Sequence, residues 1–155
     1  MINSGTTTLL AFRMLPPNIN LSIVTNSISI ALEGADNPNY NIILLGGLIN
    51  SKYQFTFGDD AINQLKRYHA DKLILSVDGI DLQNGFSTYY DKETEIDRIM
   101  LQNSNLKIVA ADCSKFQRTA FSKIADLSTA DYIVTDKDIP KDMNDEIIEH
   151  GIMVY

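Results

Sequence analysis

The chain has 155 residues, 45% of them apolar, which is enough to bury a core in one domain spanning 1–155. Its 13 basic and 20 acidic side chains leave a net charge of −7, which excludes a module that grips nucleic acid through Lys and Arg but still allows a small anion held by backbone N–H groups. A single Cys113 and two isolated histidines, His69 and His150, exclude an internal disulfide and a metal site of ordinary ligand spacing, and no apolar run reaches the roughly 20 residues that cross a bilayer. No metal, cofactor or membrane partner is expected, and the expected location is cytoplasmic.

In chain order, short aliphatic or β-branched runs alternate with helical spacing from end to end. Met1 and Ile2 read as the tail of a strand. A parallel strand usually has about five residues, so the chain is expected to be the remainder of a longer protein. A helix is predicted over Thr7 to Met14, stopped by Pro16-Pro17, then a strand over Leu21 to Thr25 and a helix over Ser27 to Glu33. Asn37-Pro38 marks a turn before a strand over Asn41 to Leu45. Helices follow over Asp59 to Tyr68, Asp91 to Asn103 and Asp142 to His150, with strands over Lys72 to Ser76, Leu106 to Ala110, Tyr132 to Thr135 and Ile152 to Tyr155. Ser27, Asp59, Asp91 and Asp142 read as N-caps, and Gly151 as a helix stop. The strands are near-continuously apolar, which predicts an α/β domain with a mostly parallel sheet covered on both faces.

Polar clusters recur at the strand ends. "NSGTTT", Asn3 to Thr8, offers Gly5 for close approach, the hydroxyls of Ser4, Thr6 and Thr7, and the positive end of a helix, although an ordinary helix cap reads equally well. "VTNS" brings Asn26 and Ser27, and "LLGG" brings Gly46 and Gly47, each open to a turn or cap explanation. In "DGIDLQNGFST", Asp78 and Asp81 flank Gly79 so that both carboxylates can face one pocket, while Asp-Gly is also a common turn pair. Thr88 and Glu93 add polar groups beyond it, and "DCSKF" delivers Asp112 and Lys115. In an open α/β sheet these ends share one rim, where ligands bind.

Taken in order, "NSGTTT", "VTNS", "LLGG", "DGIDLQNGFST", "ETEIDR" and "DCSKF" resemble the C-terminal sensor domain of DeoR-type bacterial transcription repressors, over essentially the whole chain. The resemblance implies a Rossmann-like fold similar to ribose-5-phosphate isomerase and CoA transferases. It implies a phosphorylated sugar or related metabolite as effector, and DNA contact only through an N-terminal winged helix-turn-helix that is absent here. Ser4, Gly5, Thr6 and Thr7 would hold the phosphate, Gly46 and Gly47 would line its approach, Asp78, Gly79 and Asp81 would meet sugar hydroxyls, and Lys115 would contact the polar end. Asn3, Asn26, Thr88, Glu93 and Asp112 are secondary candidates. Two departures stand out: Asn3 replaces a common Asp, and Asp97 sits where a basic residue is frequent, altering a helix-face salt bridge.

The leading expectation is a non-catalytic effector-binding domain within a homo-oligomer. The alternative is a sugar-phosphate isomerase, with Asp78, Asp81, Glu93 and Lys115 as acid-base groups. Tyr53, Phe55 and Phe57 alternate in a way that suits an apolar strip for a partner subunit or packing on their own core, and Phe86, Tyr89 and Tyr90 suit a lid.

Overall fold

Side-chain alternation along one strand reveals the layering. The computed structural model describes residues 1–155. Its elements are α1 (Thr6–Arg13), β1 (Leu21–Thr25), α2 (Ile28–Ala35), β2 (Tyr40–Leu44), β3 (Leu48–Asn50), β4 (Phe55–Phe57), α3 (Asp59–Leu65), β5 (Ala70–Leu75), β6 (Gly79–Asp81), β7 (Gly85–Thr88), α4 (Asp91–Gln102), β8 (Ser104–Ala110), β9 (Ser122–Ala125), β10 (Tyr132–Val134), α5 (Lys141–Glu149) and β11 (Met153–Val154). In β5, Leu73 and Leu75 join the larger buried cluster while Ile74 packs on the smaller one. Neighbouring strand residues point to opposite faces, so the two clusters lie on the two sides of one sheet. One face carries α3, α4 and α5 through Leu65, Ile96, Met100, Met143 and Ile147; the other carries α1 and α2 through Phe12 and Ile30. The fold is therefore α/β and Rossmann-like, a parallel sheet flanked by helices. No helix is long and apolar enough to cross a membrane.

Strands β5, β8, β10 and β11 are all parallel in the order β11-β10-β8-β5, and β1 pairs in parallel with β2. Residues 1–3 join the two parts. Ile2 bridges both Thr25 and Ile74, its N–H donates to Val24 O at 3.0 Å, and Asn3 N donates to Ile74 O at 3.3 Å. The chain thus begins in the middle of the sheet, runs out through β1 and β2 on one side, and continues through β5 on the other. That reversal at residues 1–3 is a topological switch point, where open α/β sheets form a crevice beyond the carboxyl ends of their strands.

The structure adds what the sequence reading lacked. β3 and β4 form an antiparallel hairpin, and β6, β7 and β9 form a small antiparallel sheet. Ser27 caps α2 as expected, accepting from Ile30 N at 3.3 Å, whereas Asp59 and Asp91 are first residues of their helices and Asp142 is the second of its own. Their carboxylates still favour the positive helix end from there. The strip of Tyr53, Phe55 and Phe57 is not a free partner surface: Phe55 is buried, Phe57 half-buried, and Tyr53 stacks edge-on with Tyr90 at 4.6 Å. Phe86, fully buried in β7, cannot serve in a lid.

Candidate functional site

At the switch point lies a cavity of about 510 Å³. Its walls come from the start of α1, the end of β5, the hairpin turn between β3 and β4, and the start of α4. Ser4 is the hinge of the arrangement. Its N–H donates to Asn26 Oδ1 at 2.9 Å and its hydroxyl donates to Glu93 Oε1, which also accepts from Asn26 Nδ2 at 3.4 Å. Asn3, buried one residue earlier, donates through Nδ2 to Ser76 O and to Asp97 Oδ1, both at 3.0 Å, and accepts from Ser76 N at 2.8 Å. The pair of amides ties the ends of β1 and β5 to α4.

Gly5 follows, so close to β5 that a Cβ there would lie 2.0 Å from Ser76 Oγ. No side chain caps α1, and Thr6 and Thr7 line the cavity. The first-turn N–H groups have no intrahelical partner and, with the helix dipole, favour an anion. Two cations stand by. Lys115 Nζ lies 3.6 Å from Asp78 Oδ1, and Lys52 Nζ sits 5.0 Å from the centre of the Tyr53 ring. Asp78 is fixed by Thr88 Oγ1 and Tyr89 N, each donating to Oδ2 at 3.1 Å.

Exposure defines a mouth and a floor. Gly5, Thr6, Lys52, Tyr53 and Tyr89 are exposed, whereas Glu93 and Asp97 keep only 8% and 1% of their surface. Burial pushes the Glu93 carboxyl up to about 7, against the hydrogen bonds from Ser4 and Asn26 and with help from Asp78. Burial, with Glu93 one turn away, raises Asp97 well above the usual carboxylate range. When both carry protons, the charged groups left on the lining are Lys52, Lys115 and Asp78, a balance that accepts an anion.

The cavity brings together Ser4, Gly5, Thr6, Thr7, Asp78, Thr88, Glu93 and Lys115 from the sequence reading. Asn3 and Asn26 sit behind this lining as its supports. Other candidates fall outside it. Gly46 donates to Gln64 Oε1 at 3.0 Å, and a Cβ on Gly47 would meet Phe57 O at 2.5 Å, so both serve the turn into β3. Asp81 does not share the pocket of Asp78: its Oδ1 accepts from Gln83 N and Asn84 N and closes the turn between β6 and β7. Gly79 is buried in β6, where a Cβ would meet Arg118 O at 2.5 Å. Asp112 accepts from Ser114 N at 3.0 Å and shapes the turn that presents Lys115.

Sequence reasoning missed Ser76, Lys52 and Asp97 as cavity residues, and assigned Tyr53 elsewhere. Asp97 is not a helix-face salt-bridge residue; it is buried against Asn3. Its spacing of four from Glu93 was the available signal, since such residues share a helix face.

A family model described as the DeoR C terminal sensor domain matches residues 1–137. The chain belongs to this family. Over 99% of its length it is 32% identical to an aga operon transcriptional repressor of Escherichia coli O157:H7, covering 57% of that protein. It is 32% identical to the HTH-type transcriptional repressor GlcR of Bacillus subtilis over 77% of this chain and 46% of the relative. It is 28% identical to the glycerol-3-phosphate regulon repressor of Escherichia coli K12 over 99% of this chain and 61% of the relative. The DeoR-family chain therefore spans about half to three-fifths of the length of these relatives. A sensor-domain family whose relatives are named as transcriptional regulators makes it a non-enzyme and sets aside the isomerase alternative.

Proposed function

We propose that the cavity binds a phosphorylated sugar or related metabolite and that the chain is the effector sensor of a cytoplasmic regulator of sugar metabolism. The observation that carries this reading is the uncapped start of α1 opening onto the cavity together with Lys52 and Lys115. A phosphate would take the free N–H groups of α1 and the hydroxyls of Thr6 and Thr7, with Lys115 released in part from Asp78 to meet it. The sugar would lie inward, against Thr88, Tyr90 and Glu93.

In this reading, contact with DNA belongs to a part of the protein outside residues 1–155, and the regulator is a homo-oligomer. The ligand shifts DNA affinity because it binds one subunit arrangement better than another. A thermal-shift panel of sugar phosphates, followed by calorimetry, tests the site. A ligand at about 100 times its Kd stabilises the fold by about 2.7 kcal/mol. The expected result is a phosphorylated sugar that raises the melting temperature, is recovered chemically unchanged, and binds Ser4→Ala and Lys115→Ala at least about tenfold more weakly. A panel without a single binder would overturn the reading.

A further inference from the structure

We propose that the floor of the cavity receives a cationic amino group, so that the site's phosphorylated ligand is an amino sugar; this rests on the sugar-phosphate reading above. The floor holds two carboxyl groups one turn apart on α4, Glu93 and Asp97, at 8% and 1% exposure. Each is satisfied on one oxygen only. Ser4 and Asn26 both donate to Glu93 Oε1, and Asn3 donates to Asp97 Oδ1. Glu93 Oε2 and Asp97 Oδ2 receive no donor from the protein. Neither oxygen is sealed off, because the one fully enclosed side-chain polar atom lacking a partner is Thr135 Oγ1, elsewhere in the fold. Both residues line the cavity.

No protein cation answers them. The four salt bridges leave out Glu93 and Asp97, with Lys115 turned to Asp78 and Lys52 resting over Tyr53 at the mouth. Unpaired, the two carboxyls hold their protons, and a ligand that brings positive charge and donors together stabilises their ionised form. An ammonium group does both, with three N–H donors on one centre. A metal ion is a poorer match, since no group of three His, Cys, Asp or Glu is placed to hold one. Anion-binding groups at the mouth and carboxyls at the floor together fit a ligand with a phosphate at one end and an amine at the other.

Calorimetry at pH 7 with the 155-residue chain compares glucosamine 6-phosphate and galactosamine 6-phosphate with glucose 6-phosphate, galactose 6-phosphate and the N-acetylated amino sugar phosphates. The amine and its neutral counterpart differ at one substituent, so phosphate contacts cancel. The expected result is that one amino sugar phosphate binds at least about tenfold more tightly than both neutral counterparts, the scale of one charge-assisted hydrogen bond. Asp97→Asn keeps the shape and removes the ability to ionise against the ammonium, and is expected to cut that preference several-fold; Glu93→Gln gives the same readout should Asp97→Asn fail to fold. Neutral hexose phosphates binding as tightly as the amines would overturn the amino-sugar assignment and leave the sugar-phosphate reading standing. Absence of binding by every phosphorylated compound would overturn both.

Discussion

Glu93 and Asp97 make the stability of the domain depend on pH. Each holds its proton more tightly in the folded chain than in the unfolded one. The stability that Glu93 confers is therefore complete below its ordinary value of 4.5 and is lost as pH rises through about 7. At roughly 1.4 kcal/mol per pKa unit, ionising Glu93 in the fold costs about 3 kcal/mol. Thermal melts should fall between pH 5 and pH 8. Glu93→Gln should melt about 5 °C or more above the unchanged chain at pH 8, with the gap closing at pH 5. A melting temperature in the unchanged chain that is flat over this range would contradict the assignment. Lys115 behaves differently. Its contact with Asp78 joins side chains that keep 26% and 33% of their surface, so Lys115→Ala should cost under about 1 kcal/mol in urea denaturation while weakening phosphate binding as argued above. Equal losses in both would make Lys115 structural. Asp78 and Lys115 were legible because each lies in the loop that follows a strand of apolar character, β5 and β8, and Ser4 because it stands in a Gly- and hydroxyl-rich stretch before a helix. Asp97 was not, because "ETEIDR" alternates charges like a solvated face, and only the packing of α4 shows that positions 93 and 97 turn inward.

At the scale of elements, the wall that carries Asp78 and Thr88 depends on the small antiparallel sheet of β6, β7 and β9. Gly85 starts β7 with φ 75, and a Cβ there would lie 2.2 Å from Ala125 O, a backbone atom that cannot swing aside. Gly85→Ala combines strain at positive φ with displacement of β9. It should lower stability by more than about 1 kcal/mol, read from a urea midpoint, and weaken ligand binding by shifting Thr88. A midpoint within error of the unchanged chain would show that β9 yields freely. The long parallel strands were legible because burial on both faces writes them as apolar runs. β3, β6 and β9 have only three or four residues, too few for a period, and they mix glycine, polar and aliphatic residues. β3 and β6 pair within short hairpins and only β9 reaches back to a distant partner, β7; the hairpin turn held by Asp81 read as a second binding carboxylate because Asp-Gly and Asp residues serve turns and sites alike.

For the whole molecule, the alternation of strands and helices revealed the layer architecture, but the central place of residues 1–3 comes from two neighbours distant in sequence, Thr25 and Ile74. That placement sets the cavity at the switch point, and the proposed anionic effector would have to be attracted there against the field of the chain. With 13 basic and 20 acidic side chains, the net charge of −7 repels any polyanion, while Lys52 and Lys115 reverse the balance only locally. In the proposed reading, a small phosphate would reach those two cations and the α1 N–H groups. A duplex cannot, because its many phosphates would face an acidic surface at once and release few counterions. The 155-residue chain should therefore leave a DNA duplex unretarded in a gel-shift assay at about 0.1 M salt, with or without a sugar phosphate. Retardation that weakens steeply with added salt would reveal a basic face strong enough to bind DNA directly, and the division between sensing here and DNA contact elsewhere would fail.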